Sequence, residues 1–404
     1  MSPKPAPRTA QQETDMKRTR LKRRGGLGRT AEQLVWLAGG LAQSGSRIED
    51  HYWETQLAKL IDETLADNDE EVLNAALDHL YSADARAYDD LADNIESRAE
   101  CAAGSLAEHD VVLIAAPVLA WSRYRIPAAN IPAAVLANLR VHLQAHVLAK
   151  GARLSVADFL FSPDQLPQGY CSTAEFAKVI CGAAAENLDL HIDTDGMPET
   201  AQFLSDTRYL LAAVAVPRGG ALFRWQEPDG TRDGALEQWR AQGGACLTPL
   251  LPGCAVDLVL PDSYFAASRA ADKDSRPYSV RASVAFLATT LETPAASLRA
   301  VVAPFWDRNL EEYRIGFTAR GRDAVVHGVV WPLLGAEDET TDCVAQIETV
   351  LRESGLTDVV SLEHHFPLEY CDDCGAPLYP SPEGEVVHAE MPEEQGVQAP
   401  RHLH

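Results

Sequence analysis

A chain of 404 residues, 46% of them hydrophobic, carries enough apolar material for two or three buried cores, which excludes a disordered or fibrous chain. No apolar run reaches the roughly 18 residues that cross a bilayer, so no membrane-spanning helix is expected. The net charge of −24 is unevenly spread: residues 1–29 hold nine Lys or Arg against Glu13 and Asp15, a local +7, and the remainder carries −31. Such a body repels phosphate polyanions, and only the arm attracts them.

The basic arm, residues 1–29, reads as disordered. Its cations Lys17, Arg18, Arg20, Lys22, Arg23, Arg24 and Arg29 are the candidate contacts for nucleic acid or an acidic partner, and RRGG is flexible enough to follow a groove. The plainer reading is a solubilising tail lying on the chain's own acidic surface. KRTRLKRRGGLGRT ahead of LVWLAGGLA mimics a secretory leader with a twin arginine, but Glu32 and Gln33 interrupt the apolar run and no small-residue cleavage site follows, so the expected location is the cytoplasm. Met16 is an alternative start that would make the Pro-rich stretch before it an extension. RRGGLGRT lacks the spacing of a phosphate-binding loop.

Residues 30–109 predict an acidic helical region. Thr30 with Gln33, and Ser46 with Glu49, have capping-box spacing. Leu57, Leu60, Ile61 and Leu65 share one helical face, as do Leu73, Ala76, Leu77 and Leu80, and then Tyr88, Leu91, Ala92 and Ile95. Between Glu49 and Asp110 stand eighteen acids against Lys59, Arg86 and Arg98, which reads first as a solvated face and second as a docking surface for a basic partner.

From Asp110 the pattern changes to strands and helices, so the fold class is α+β or α/β: a helical bundle, then repeated β-β-α-β units, then a short zinc-knuckle-like segment. Residues 110–206 predict a β-α-β unit. DVVLIAAP is a strand covered on both faces, Asn130 and Pro132 open a helix ending at Gly151, and ARLSVADF returns in parallel. Residues 207–295 give TRYLLAAVAVP, ALFRWQ, a helix to Gly243 and CAVDLVLP. Residues 296–370 give LRAVVAP, EYRIGFT, AVVHGVVW, a helix to Gly355 and TDVVSLEHHF. The shared order, with strands ending at Pro217 and Pro304, suggests a tandem duplication, and DVVLIAAP a third copy. Residues 262–291, with the mixed run SRAADKDSR, read as helices in a surface linker.

Residues 371–404 form the Cys/His tail. Cys371, Cys374 and Gly375 make a Cys-x-x-Cys-Gly turn in which two thiolates converge on one ion. His388 follows Cys374 after a thirteen-residue gap, and His364 and His365 lie just upstream, of which one at most faces the ion because they alternate along a strand. Three readings stay open: a structural zinc knot, a redox pair, and unligated thiols. Pro377, Pro380 and Pro382 weigh against the redox pair, which needs a helix after the first cysteine. The other six cysteines are scattered like reduced core residues.

Other constellations are weaker. His142 and His146 stand four apart but Leu143 replaces the glutamate of a metalloprotease helix. The aromatic and basic run from Trp121 to Arg125 could stack on a base. An enzymatic alternative places a pocket between the two α+β units, with Asp257, Asp262 and His327 beside Arg269 or Arg314. The leading expectation is a non-enzymatic binding or regulatory protein with structural zinc.

At MKRTRLKRRGGLGRTAEQLVWLAGGLAQSGSRIEDHYWE and again at CDDCGAPLYPSPEGEVVHAEMPEE, the chain resembles a family of uncharacterised proteobacterial proteins, a domain of unknown function. The likeness runs from Met16 to about Glu394. It implies a bacterial soluble protein whose two end motifs both belong to its working form, and it implies no activity, cofactor or catalytic residue.

Overall fold

The structure, a computed structural model, describes residues 27–101, 108–335 and 337–391. The chain forms two units, residues 1–95 and 96–404. In the first, α1 (Arg29–Ala42), α2 (Arg47–Ala66), α3 (Glu70–Ala83) and most of α4 (Ala85–Glu100) bury the predicted stripes: Leu57, Ile61 and Leu65, then Leu73, Ala76, Leu77 and Leu80, then Leu91 and Ile95. At the start of α2 the Ser46 hydroxyl accepts from the Glu49 N–H at 3.3 Å, the first half of the expected box, while Glu49 Oε2 reaches one residue further back, to the Gly45 N–H at 3.1 Å, and accepts from the Ser46 hydroxyl at 3.2 Å. The box at Thr30 does not form: the N-cap of α1 is Gly28, two residues earlier, so Arg29 belongs to the helix and not to the arm.

The second unit holds two main sheets. The first has the order β2 (Ala129–Asn130), β3 (Arg153–Phe161), β4 (Ser205–Pro217), β1 (His109–Trp121), β5 (Ala255–Leu258), with β6 (Asp262–Ser263) also on β1. Both β1 and β3 pair antiparallel with β4. They therefore point the same way, as expected of β-α-β, but they are not neighbours. A thirteen-residue strand buried on both faces gains most at the centre, and β4 takes that place. One face of the sheet packs on α5 (Ala133–His142), the wider helical turn Trp239–Gly243 that continues α7 (Arg232–Gln238), and α8 (Gly244–Leu247) through Leu139, Trp239 and Leu247, and the other on α6 (Tyr170–Ala185) and the start of α9 (Tyr264–Thr290) through Ile180, Ala267 and Ala271.

The second sheet has the order β10 (Asp358–Ser361), β7 (Leu298–Trp306), β8 (Leu310–Ala319), β9 (Val325–Pro332), with β11 (Phe366–Pro367) continuing along β7. Its strands, with α10 (Cys343–Glu353), follow the predicted order, but the matching first copy does not exist. ALFRWQ is a tight turn in which Gln226 Oε1 accepts from the Leu222 and Phe223 N–H groups and Phe223 stacks on Trp225 at 4.4 Å. β5 then pairs with β1, on the far side from β4, so the duplication is not present. Nor do Pro117 and Pro304 end their strands. Each lies opposite a break in the neighbouring ladder, Pro117 between β5 and β6, Pro304 between β10 and β11, where no donor is required.

The expected surface linker is instead α9, a 27-residue helix with Pro277 inside it. Its first half covers the first sheet, and Val280, Val284 and Leu287 cover the second. Midway, the buried Arg276 pairs with both Glu337 carboxylate oxygens, at 2.6 and 3.1 Å, donates to the Pro332 carbonyl and lies 4.8 Å over the Trp331 ring. No described helix is long and apolar enough to cross a membrane.

Candidate metal centre

The face of the second sheet turned away from α9 and α10 is where the C-terminal segment lies. That segment starts as a Cys-x-x-Cys turn. The Gly375 N–H donates to the Cys371 carbonyl at 2.8 Å and the Cys371 N–H to the Ala376 carbonyl at 2.8 Å, which closes the loop on itself. Gly375 has φ of +73°, the left-handed conformation that only glycine adopts without strain. The loop aims the Asp373 and Cys374 N–H groups at the Cys371 sulfur, and they hold its thiol below the ordinary cysteine range.

Arg314 on β8 fixes the base of the turn. It is fully buried, and its Nη1 donates to the carbonyls of Glu369 and Leu378, at 2.6 and 2.8 Å, the residues on either side of the loop. Glu312 at 2.6 Å balances its charge, and its guanidinium lies 4.3 Å over Phe305 and 5.0 Å over Tyr370. A buried guanidinium is costly unless paired and hydrogen-bonded, so these contacts set the position of the loop closely. Beside it, Gly316 of β8 and Gly328 of β9 face each other in register. Tyr379 and Pro380, which form β12 (Tyr379–Pro380), lie on this bare strip: a Cβ on Gly316 would stand 2.2 Å from the Pro380 carbonyl oxygen, and one on Gly328 2.3 Å from the Tyr379 ring. Burial there pushes the Tyr379 phenol up to about 12.

β12 pairs with β13 (Val386–Val387) in a short hairpin that delivers His388 back to the turn. The ligand atoms of Cys371, Cys374 and His388 all lie within 4.8 Å of one another, and Cys374 Sγ is 3.3 Å from His388 Nε2. Around a tetrahedral zinc ion sulfur and nitrogen would stand about 3.5 Å apart, given Zn–S of about 2.3 Å and Zn–N of about 2.0 Å. The three groups are therefore within metal-binding distance. The Glu390 carboxylate is 3.9 Å from the other ring nitrogen of His388, an ion-pair contact beyond hydrogen-bond distance, and the Glu390 N–H is tied to the Val325 carbonyl at 3.0 Å. His388 also lines a cleft of about 1150 Å³ between the hairpin and the β8–β9 turn.

The remaining expected residues lie elsewhere. His364 and His365 are exposed and outside the cluster; Phe366 is the inward residue of β11, and His365 stacks on Trp306 at 4.2 Å. Lys17, Arg18, Arg20, Lys22, Arg23 and Arg24 fall outside the described residues, and Arg29 is exposed at the start of α1. His142 and His146 stack at 5.9 Å where α5 widens into a π-helical turn, and they belong to no group of three metal donors among the described residues. Asp257 pairs with Arg240, Asp262 with Arg232, Arg269 with Glu96 and Arg314 with Glu312, while the buried His327 meets Ser283 at 2.9 Å. The residues proposed for an enzymatic pocket are thus each engaged with a different neighbour. Sequence reasoning missed Gly316, Gly328 and Glu390, and it offered Arg314 for an enzymatic pocket instead of for the base of this turn. Mid-strand glycines in EYRIGFT and VVHGVVW were the available signal, since a glycine inside a strand marks close approach of another backbone.

No curated protein and no solved structure matches the chain. A family described as "Protein of unknown function (DUF2863)" matches residues 19–402, nearly the whole length, and the chain belongs to that family.

Proposed function

We propose that this is a non-enzymatic binding protein whose C-terminal hairpin is held on the second sheet by a structural zinc ion, and whose basic arm contacts nucleic acid. The observation that supports the metal is the convergence of Cys371, Cys374 and His388 on a turn already closed by its own hydrogen bonds. Two thiolates and an imidazole favour zinc over magnesium or calcium, which take oxygen donors. The hairpin has only two paired positions, Tyr379 with Val387 and Pro380 with Val386, so a metal ion bridging both ends of the segment would add most of its local stability. None of the eight cysteines is in a disulfide, in keeping with a reducing, cytoplasmic setting.

The arm reading rests on charge alone, +7 against −31. Each phosphate neutralised by an arm cation steepens the salt dependence of binding by about 0.9 in the log–log slope. Full-length protein should therefore bind RNA or DNA with an affinity that falls steeply with salt, and a chain lacking the first 28 residues should not. Equal binding by both would refute nucleic-acid contact by the arm. For the metal, a chelator should lower the unfolding temperature of the intact chain; an identical melt with and without chelator would refute a structural ion.

A further inference from the structure

The described residues supply three donors to the cluster, whereas zinc bound for structure alone takes four. The site is not sealed: the His388 side chain is 25% exposed, Cys371 and Cys374 are half-buried, and His388 forms part of the wall of the 1150 Å³ cleft. A dissolved ligand can therefore approach the ion from the cleft side. The chemistry of that wall selects among such ligands. Two guanidinium groups, Arg320 and Arg322, stand against four carboxylates, Asp323, Glu383, Glu385 and Glu390, a net of −2. Arg320 is further neutralised by Asp358 at 3.7 Å. Two thiolates already cancel the charge of a divalent ion, so nothing at the metal offsets the acidic wall. An ion in a sulfur-rich set prefers a further soft donor.

We propose that the metal takes its fourth donor from a small cationic thiol, the sulfur on the ion and the positive group against Glu383, Glu385 and Glu390. This rests on the metal reading given above. It makes the C-terminal clasp a ligand-responsive site: binding adds one metal–sulfur bond as the thiol releases its proton to solvent, and no oxidation or reduction is involved.

The test uses the full chain loaded with Co²⁺, whose visible absorption reports donor set and geometry. It is titrated with thiocholine, mercaptoethanol and mercaptoethanesulfonate, which present one thiol donor with positive, zero and negative charge, at equal thiolate concentration. For a wall of net −2 taken at an assumed separation of about 9 Å in water, roughly one Debye length, a two-unit difference in ligand charge gives a preference for thiocholine over the sulfonate of about tenfold at low ionic strength and about threefold at physiological salt. The thiolate-to-cobalt absorption should rise and saturate in that order, and Glu383→Gln with Glu385→Gln should shrink the preference while leaving cobalt binding intact. A cobalt spectrum that none of the thiols alters would overturn the proposal, because the chain would then complete the coordination itself. Equal affinity for all three would overturn the selection for positive charge. A chain that binds no cobalt would instead sink the metal reading, a separate and recognisable failure.

Discussion

Replacing Gly316 by alanine tests whether the hairpin is seated as described. The new Cβ would stand 2.2 Å from the Pro380 carbonyl oxygen, about 1 Å inside normal contact, and the obstacle is backbone, which has no rotamer to give way. Pro380 is buried and paired with Val386, so relief requires the whole hairpin to lift. Overpacking of this kind costs about 1–3 kcal/mol. A shift near 1 Å also exceeds the roughly 0.5 Å tolerance of a donor set, so metal affinity should fall on the order of tenfold or more. Urea unfolding and a metal titration read both quantities. Gly182→Ala on the exposed face of α6, where a Cβ meets nothing within 4 Å, is the control and should stabilise by about 0.5–1 kcal/mol. If Gly316→Ala unfolds within about 0.5 kcal/mol of the unaltered chain and binds metal as well, the hairpin does not lie on the glycine strip and the reasoning fails.

Two buried groups make opposing contributions to pH dependence. Burial lowers the His327 pKa from 6.5 to about 4, so the folded chain keeps it neutral while the unfolded chain takes up a proton; stability from this group is full above pH 6.5 and lost as pH falls towards 4, about 3 kcal/mol in all. Burial raises the Glu100 carboxyl to about 7, against the N–H of Phe265, so its contribution is full below pH 4.5 and lost as pH rises through 7, again about 3 kcal/mol. In the unaltered protein the two largely cancel. Denaturant melts between pH 4.5 and 8 should show Glu100→Gln losing stability towards acid and His327→Gln gaining it; parallel profiles for both variants would contradict the burial assigned to these groups. Arg276→Leu leaves the largely buried Glu337 carboxylate without its partner and should cost about 3 kcal/mol in the same melts; a cost below about 1 kcal/mol would mean the pair is effectively solvated.

How far the molecule could be read from its sequence differs from one part to another. The helical stripes of the first unit were legible because each puts apolar residues at helical spacing with charges on the opposite side. β1 and β4 were legible as continuous apolar runs, but their neighbours were not: both faces of each strand are apolar, so nothing in the pattern says which strand lies beside which. α9 was misread because its inward positions mix alanine and valine with tyrosine, serine and one charge, and because that charge, Arg276, is buried with a partner sixty-one residues away. At the candidate site the cysteines and His388 were legible from the Cys-x-x-Cys-Gly turn and its spacing. The exclusion of His364 and His365 was not, since it depends on Phe366 facing inward and on the stacking of His365 with Trp306. Nor was the role of Arg314, which the sequence offered as a pocket residue yet which holds both ends of the Cys-x-x-Cys loop.

The central claim is that Cys371, Cys374 and His388 bind one metal ion that fastens the C-terminal hairpin. Its most direct test is the metal content of full-length protein purified without an affinity tag, measured by mass spectrometry of the acid-digested sample. The account predicts about one zinc per chain, lost in Cys371→Ser, Cys374→Ser and His388→Ala and retained in His364→Ala and His365→Ala. Folded protein without metal, or zinc that survives loss of both cysteines, would contradict it.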